Sequence, residues 1–213
     1  YIYCDEQGDT LFYLGPENYY GSAPDMGAFE WSIEGELGDL NADGVLDIVD
    51  VVAMVNTIIA LTYDPLGDMN HDGIVDIIDI IALINIILDR NDNSGFRMTN
   101  IDQVDMIYKN RSLYLKNEGP IRGIEIVIYS DSDELNLNES LNMDIAYNKY
   151  DGKHHLLIYS LNGNVLHEGK YELFNSNEKF EIDNLIVLNS NNDPVQINYI
   201  NETQPEMYVL KQN

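Results

Sequence analysis

The sequence predicts an α+β chain of more than one module, a small all-α piece followed by an antiparallel β-sandwich. Three observations carry that expectation. A segment at 38–60, GDLNADGVLDIVDVVAMVNTIIA, returns at 67–89 as GDMNHDGIVDIIDIIALINIILD, identical at 11 of 23 positions and otherwise mostly exchanging one aliphatic for another. From about residue 102 the apolar residues alternate with period two between clusters of Asn, Asp and Gly, as strands do. The charge is also split: residues 1–89 hold 18 acidic and no basic residues, whereas all 11 Lys and Arg lie from Arg90 onward.

Within its 213 residues the chain has 45% apolar and 10% aromatic content, which is enough for a core despite a net charge of −26. That charge, −18 before Arg90 and −8 after it, excludes nucleic acid as a partner, because nothing neutralises phosphates. It calls instead for cations, divalent ones first. Cys4 is the only cysteine, so neither an internal disulfide nor a Cys-based zinc site is possible. No uncharged run is long enough to span a bilayer, so no membrane insertion is expected. Tyr1 stands where a start methionine would, and the chain reads as a piece of something longer.

The repeat is the most informative element. Each copy places oxygen-bearing side chains at loop positions 1, 3, 5, 9 and 12, with glycine at 6. In the first copy these are Asp39, Asn41, Asp43, Asp47 and Asp50, with Gly44; in the second they are Asp68, Asn70, Asp72, Asp76 and Asp79, with Gly73. Alternate residues of a tightly wound loop point inward, and calcium takes about six to eight oxygens, so this spacing predicts two Ca2+ ions. Position 7, Val45 or Ile74, offers its backbone carbonyl, and glycine permits the sharp turn. Magnesium, which prefers a small octahedron and keeps its waters, fits less well.

A helix follows each loop, from about Ile48 to Leu61 and from about Ile77 to Leu88. The position-12 aspartate then lies in the first turn, where its charge suits the helix N-terminus. Before the loops, SIEGEL and TYDPLG hold glycine and proline and do not read as helices. Loop plus following helix, duplicated over residues 34–90, resembles a dockerin of type I-like organisation, the calcium-dependent docking module of polysaccharide-degrading assemblies. Dockerins often carry small polar residues at positions 10 and 11; this chain has Ile48, Val49, Ile77 and Ile78 there, which implies a mainly apolar contact. Both helices are apolar almost all round, more than two short helices bury on one another. The expected partner surface is Ile48, Val49, Val52, Ile77, Ile78 and Ile81.

A polar linker, 91–100, separates this module from nine candidate strands at 104–108, 111–116, 122–130, 141–147, 154–160, 164–168, 171–174, 180–188 and 195–200. In GIEIVIYS, Ile124, Ile126 and Ile128 point one way, and Glu125, Val127 and Tyr129 the other. KNEGP, DGK and NGN are turn signals, and the sum is an antiparallel sandwich. The order of features over 101–201, IRGIEIVI, then HHLLIYS, then FEIDNLIVLNSNNDPVQINYIN, resembles a cohesin, the jelly-roll receptor of dockerins. A dockerin-like module beside a cohesin-like one implies self-complementarity. A ten-residue linker reaches at most about 35 Å, enough for docking within the chain. The same contact between neighbouring chains would build a head-to-tail extracellular filament.

Two short resemblances frame these modules. SAPDMGAFEW, within residues 1–33, is similar to the close of a secreted right-handed β-helix, which implies an upstream adhesive or catalytic domain such as a polysaccharide lyase. PEMYVLKQN, within the tail 202–213, resembles the approach to a type IX secretion sorting domain, so a secreted or cell-surface bacterial protein is expected. No catalytic residue is expected: His71, His154, His155 and His167 form no zinc motif, and no spacing singles out a carboxylate pair. The sequence therefore points to a non-catalytic, calcium-dependent protein–protein cohesion module, with docking inside the chain favoured. Fifteen tyrosines keep polysaccharide binding by the sandwich as an alternative, in which the dockerin-like module serves another partner.

Overall fold

The computed structural model describes residues 2–4, 10–13, 35–88 and 101–202. The chain divides into a unit ending at Glu36 and a unit starting at Leu37. In the first, β1 (Ile2–Cys4) and β2 (Thr10–Tyr13) pair antiparallel. SAPDMGAFEW, the linker 91–100 and PEMYVLKQN lie outside the described residues.

In the second unit, α1 (Ile48–Ile59) and α2 (Ile77–Ile87) begin at the residues the repeat predicts. The cause is local. Asp47 and Asp76 are N-caps whose side chains accept from the N–H groups of Val49 and Ile78, and Asp50 and Asp79 at N3 reach back to close a capping box. The first helix ends earlier than expected, at Ile59, because Leu61 turns into the left-handed region at φ 55°.

The sandwich contains β3 (Gln103–Lys109), β4 (Ser112–Asn117), β5 (Ile121–Ser130), β6 (Leu135–Leu137), β7 (Asp144–Tyr150), β8 (Lys153–Tyr159), β9 (Gly169–Ser176), β10 (Phe180–Asn189) and β11 (Gln196–Asn201). One sheet has the order β10-β5-β8-β7, the other β11-β3-β4-β9-β6. Between them lies an apolar core with Ile124, Ile126 and Ile128 of β5, Leu113 and Leu115 of β4 and Phe174 of β9. The alternation of β5 sends Glu125, Val127 and Tyr129 to the opposite, outer face.

Three expectations about strands need correction. The sandwich is not antiparallel throughout: β11 runs parallel to β3, from Gln196 opposite Gln103 to Asn201 opposite Tyr108. The Asn/Asp-rich turn after β10 folds back just far enough for Leu188 and Pro194 to bridge antiparallel, and the chain then crosses to the other sheet as β11. The segment 164–168 is not a strand; Leu166 alone bridges to Ile121. Conversely, Leu135–Leu137 forms β6, whose three residues of Leu and Asn give too short an alternation to detect.

The helix pair and the sandwich share a second apolar core. Val51, Met54, Val55 and Ile58 of α1 and Ile77, Ile80, Ile81 and Ile84 of α2 cluster with Leu157 and Tyr159 of β8 and Leu188 of β10. These strand residues lie in the four-stranded sheet, and the helices cover its outer face. Among the described residues, no helix is long and apolar enough to cross a membrane.

Candidate functional site

The two loops fold alike because their side chains bond their own backbone. In the first, Asp39 accepts from the N–H groups of Asp43 (3.2 Å) and Gly44 (2.9 Å), Asn41 from Asp43 (2.8 Å) and Asp43 from Val45 (2.9 Å). In the second, Asp68 accepts from Asp72 (3.1 Å) and Gly73 (2.9 Å), Asn70 from Asp72 (2.9 Å) and Asp72 from Ile74 (2.8 Å). Gly44 and Gly73 turn at φ 81° and 87°, where a side chain would be strained. Position 12 closes each loop: Asp50 accepts from Asn41 (3.2 Å) and Asp47 (3.0 Å), and Asp79 from Met69 (2.8 Å), Asn70 (3.2 Å) and Asp76 (2.9 Å). Gly38 N–H to the Leu66 carbonyl, 2.8 Å, links the two copies at the loop entries.

The electrostatics of these loops is unbalanced. Asp39, Asp50, Asp68, Asp76 and Asp79 are buried, and among the described residues none of the five meets a Lys, Arg or His. Burial pushes the Asp76 carboxyl up to about 7 against the pull of its bond from Ile78, with Glu125, Asp79 and Asp72 adding repulsion. Burial also raises Asp79. Buried charges need a compensating partner. Among the described residues no three His, Cys, Asp or Glu side chains already converge as a cluster. The carboxylates are turned to backbone N–H groups, and the fifth side chain of each set is an amide. The donors are nonetheless all oxygens, Val45 and Ile74 are exposed at position 7, and the open glycine turns leave space, so the residues fit a hard cation.

The expected partner residues separate into two groups. Ile77 and Ile81 are buried and Ile78 half-buried in the core shared with the sheet, whereas Ile48, Val49 and Val52, at the same repeat positions, are 42%, 51% and 46% exposed. The repeat offers the same side chains twice, and the sheet takes one set. The first helix meets β7 and β8 through its later part instead: Asn148 of β7 donates to the Ile59 carbonyl at 2.8 Å.

Polar residues of the contact went unrecognised in the sequence. Glu125 accepts the Ile77 N–H at 3.1 Å through Oε2, and its Oε1 lies 2.9 Å from His155 Nε2, with both side chains buried. Arg122 donates to Asn85 Oδ1 at 2.7 Å, engaging the single polar side chain of Ile80–Leu88. Gly123 lets the helix approach, since a Cβ there would stand 2.9 Å from Ile77 Cγ1 and 3.4 Å from Ile81 Cγ1. The available signal was a glycine and two charged residues, Arg122 and Glu125, in a strand otherwise apolar from Ile121 to Ile128.

The other candidates lie elsewhere. His71 is exposed, while His154 is buried against the Tyr147 hydroxyl (2.6 Å), and burial lowers its pKa. Tyr129 and Tyr150 face the same strand residue, Lys153, from either side at the far end of the covered sheet, and Lys153 Nζ sits 4.9 Å from the Tyr129 ring centre.

A scan against protein-family models finds no match, and no curated protein matches the chain. Among solved structures it is similar to a non-cellulosomal cohesin from Archaeoglobus fulgidus, at 13% identity and a TM-score of 0.34, over 48% of this chain and 86% of that one. It is similar to a chain of a type I cohesin–dockerin complex from Clostridium thermocellum, at 10% identity and a TM-score of 0.34, over 46% and 86% of the two chains. A third is the sixth cohesin of scaffoldin B from Acetivibrio cellulolyticus, solved in complex with a dockerin, at 16% identity and a TM-score of 0.33 over 48% and 93%.

Proposed function

We propose that the chain carries a non-catalytic, calcium-dependent cohesion module of a secreted or cell-surface bacterial protein, in which a dockerin-like helix pair docks on the outer face of its own cohesin-like sandwich. The observation that carries this reading is the core shared by the two parts. Apolar residues of both helices, buried with Leu157, Tyr159 and Leu188, cover a sheet face that would otherwise be open. Calcium enters because the helices start from two oxygen-rich loops whose buried carboxylates have no basic partner among the described residues. Two ions, held by Asp39, Asn41, Asp43, Val45, Asp47 and Asp50 and by Asp68, Asn70, Asp72, Ile74, Asp76 and Asp79, would supply that charge and order the helix starts.

Size-exclusion chromatography and small-angle scattering with and without a chelator test this. The expected result is a compact monomer in calcium that becomes larger and looser on chelation. Ile81→Asp, which buries a charge in the contact, reproduces that loosening with calcium present. Large assemblies that dissolve on chelation would assign the contact to neighbouring chains instead. Shape and size indifferent to both treatments would refute calcium-dependent docking.

A further inference from the structure

We infer that Glu125 of the sandwich, held by His155, couples ion binding in the second loop to docking, so that two loops with the same ligand set act unequally. This inference rests on the calcium reading above. Its origin is the start of α2. The first N–H groups of a helix have no partner inside the helix. Asp76 takes that of Ile78, and the capping box takes that of Asp79. The Ile77 N–H is taken from outside the module, by Glu125 at 3.1 Å. At the repeat-related position of the first helix, Ile48 is exposed.

Ile77 stands between the position-9 ligand Asp76 and, two residues on, the position-12 ligand Asp79. Docking therefore fixes the segment that carries two ligands of the second loop and does nothing comparable for the first. It also brings a fourth buried carboxylate to that loop, beside Asp68, Asp76 and Asp79, close enough for Glu125 to repel Asp76. With the loop empty, this repulsion opposes docking; with a divalent cation bound, the same charge attracts the ion. The coupling is therefore positive, and it is reciprocal: whatever docking adds to the affinity of the second loop, the bound ion adds to docking. His155 makes Glu125 a fixed element by holding its other oxygen at 2.9 Å.

The test is calcium titration calorimetry on the full chain with one loop silenced. Asp39→Ala leaves the second loop as the reporter, and Asp68→Ala the first. Adding Glu125→Gln, which keeps the shape and an acceptor for Ile77, weakens the second loop about tenfold, within the range of such couplings, and leaves the first loop essentially unchanged. Gly123→Val provides an independent route, because its side chain pushes Ile77 off the sheet while Glu125 remains. It also weakens the second loop selectively. Equal losses in both loops, or a second loop indifferent to both substitutions, would overturn the inference. Absence of calcium binding in the unsubstituted chain refutes the underlying calcium reading instead.

Discussion

Ile77 and Ile81 reach the sheet because residue 123 of β5 has no side chain, and that makes the contact sensitive to single atoms. The internal repeat provides its own control. Ile81 and Val52 occupy the same repeat position, yet Ile81 is 3% exposed and Val52 46%. Ile81→Ala removes buried methyl groups and is expected to cost about 2–5 kcal/mol, the usual range for such a truncation in a packed core. Val52→Ala changes an exposed side chain and is expected to stay within about 0.5 kcal/mol. Urea denaturation of both variants in saturating calcium checks the pair, and equal losses would mean that the helices do not sit on the sheet through α2. The polar residues obey the same local logic. Asn85 and Asn56 are repeat equivalents, but among the described residues only Asn85 meets an arginine, because Arg122 lies beside Gly123 on the covered strand.

At the scale of elements, the loops and helices were legible in the sequence because their causes are local. Loop spacing, the glycine at position 6 and the capping aspartates all act within a dozen residues, and both helices begin where that spacing places them. The strands were legible where alternation was long, as in β5, and illegible where pairing decides, as in β6 and in the parallel ladder of β11 with β3. Which copy of the repeat faces the sheet was not written in either copy, since Ile48-Val49 and Ile77-Ile78 are nearly the same pair. That choice follows from Gly123, Glu125 and Arg122, residues remote in sequence. The two helices should therefore differ in persistence once calcium is removed. Hydrogen exchange after chelation is expected to show α1 amides losing protection first, beginning in its N-terminal half where Ile48, Val49 and Val52 are exposed, with α2 following more slowly because the sheet covers Ile77 and Ile81. Simultaneous loss, or the reverse order, would contradict this asymmetry.

For the whole molecule, what joins the helix pair to the sandwich must be apolar contact and specific hydrogen bonds, because the overall charges oppose it. Residues 35–88 carry 10 acidic and no basic residues, and residues 101–202 carry 17 acidic and 8 basic, giving −10 against −9. Two calcium ions would leave the helix pair at −6, still the same sign as its partner. Most complexes that depend on charge weaken as salt is added; here screening removes repulsion between like-charged parts. With calcium kept saturating, the melting temperature of the whole chain is expected to rise by a few degrees as sodium chloride goes from about 20 mM to about 200 mM, across which the screening length falls to around 7–10 Å. Glu125→Gln should not flatten that rise, since with calcium bound its carboxylate attracts the ion of the second loop and is not part of the repulsion that salt screens. Differential scanning calorimetry at fixed free calcium measures both. A melting temperature that falls with salt would mean that attraction between opposite charges holds the two parts together, and the apolar core shared by α1, α2, β8 and β10 would lose its place as the driving contact.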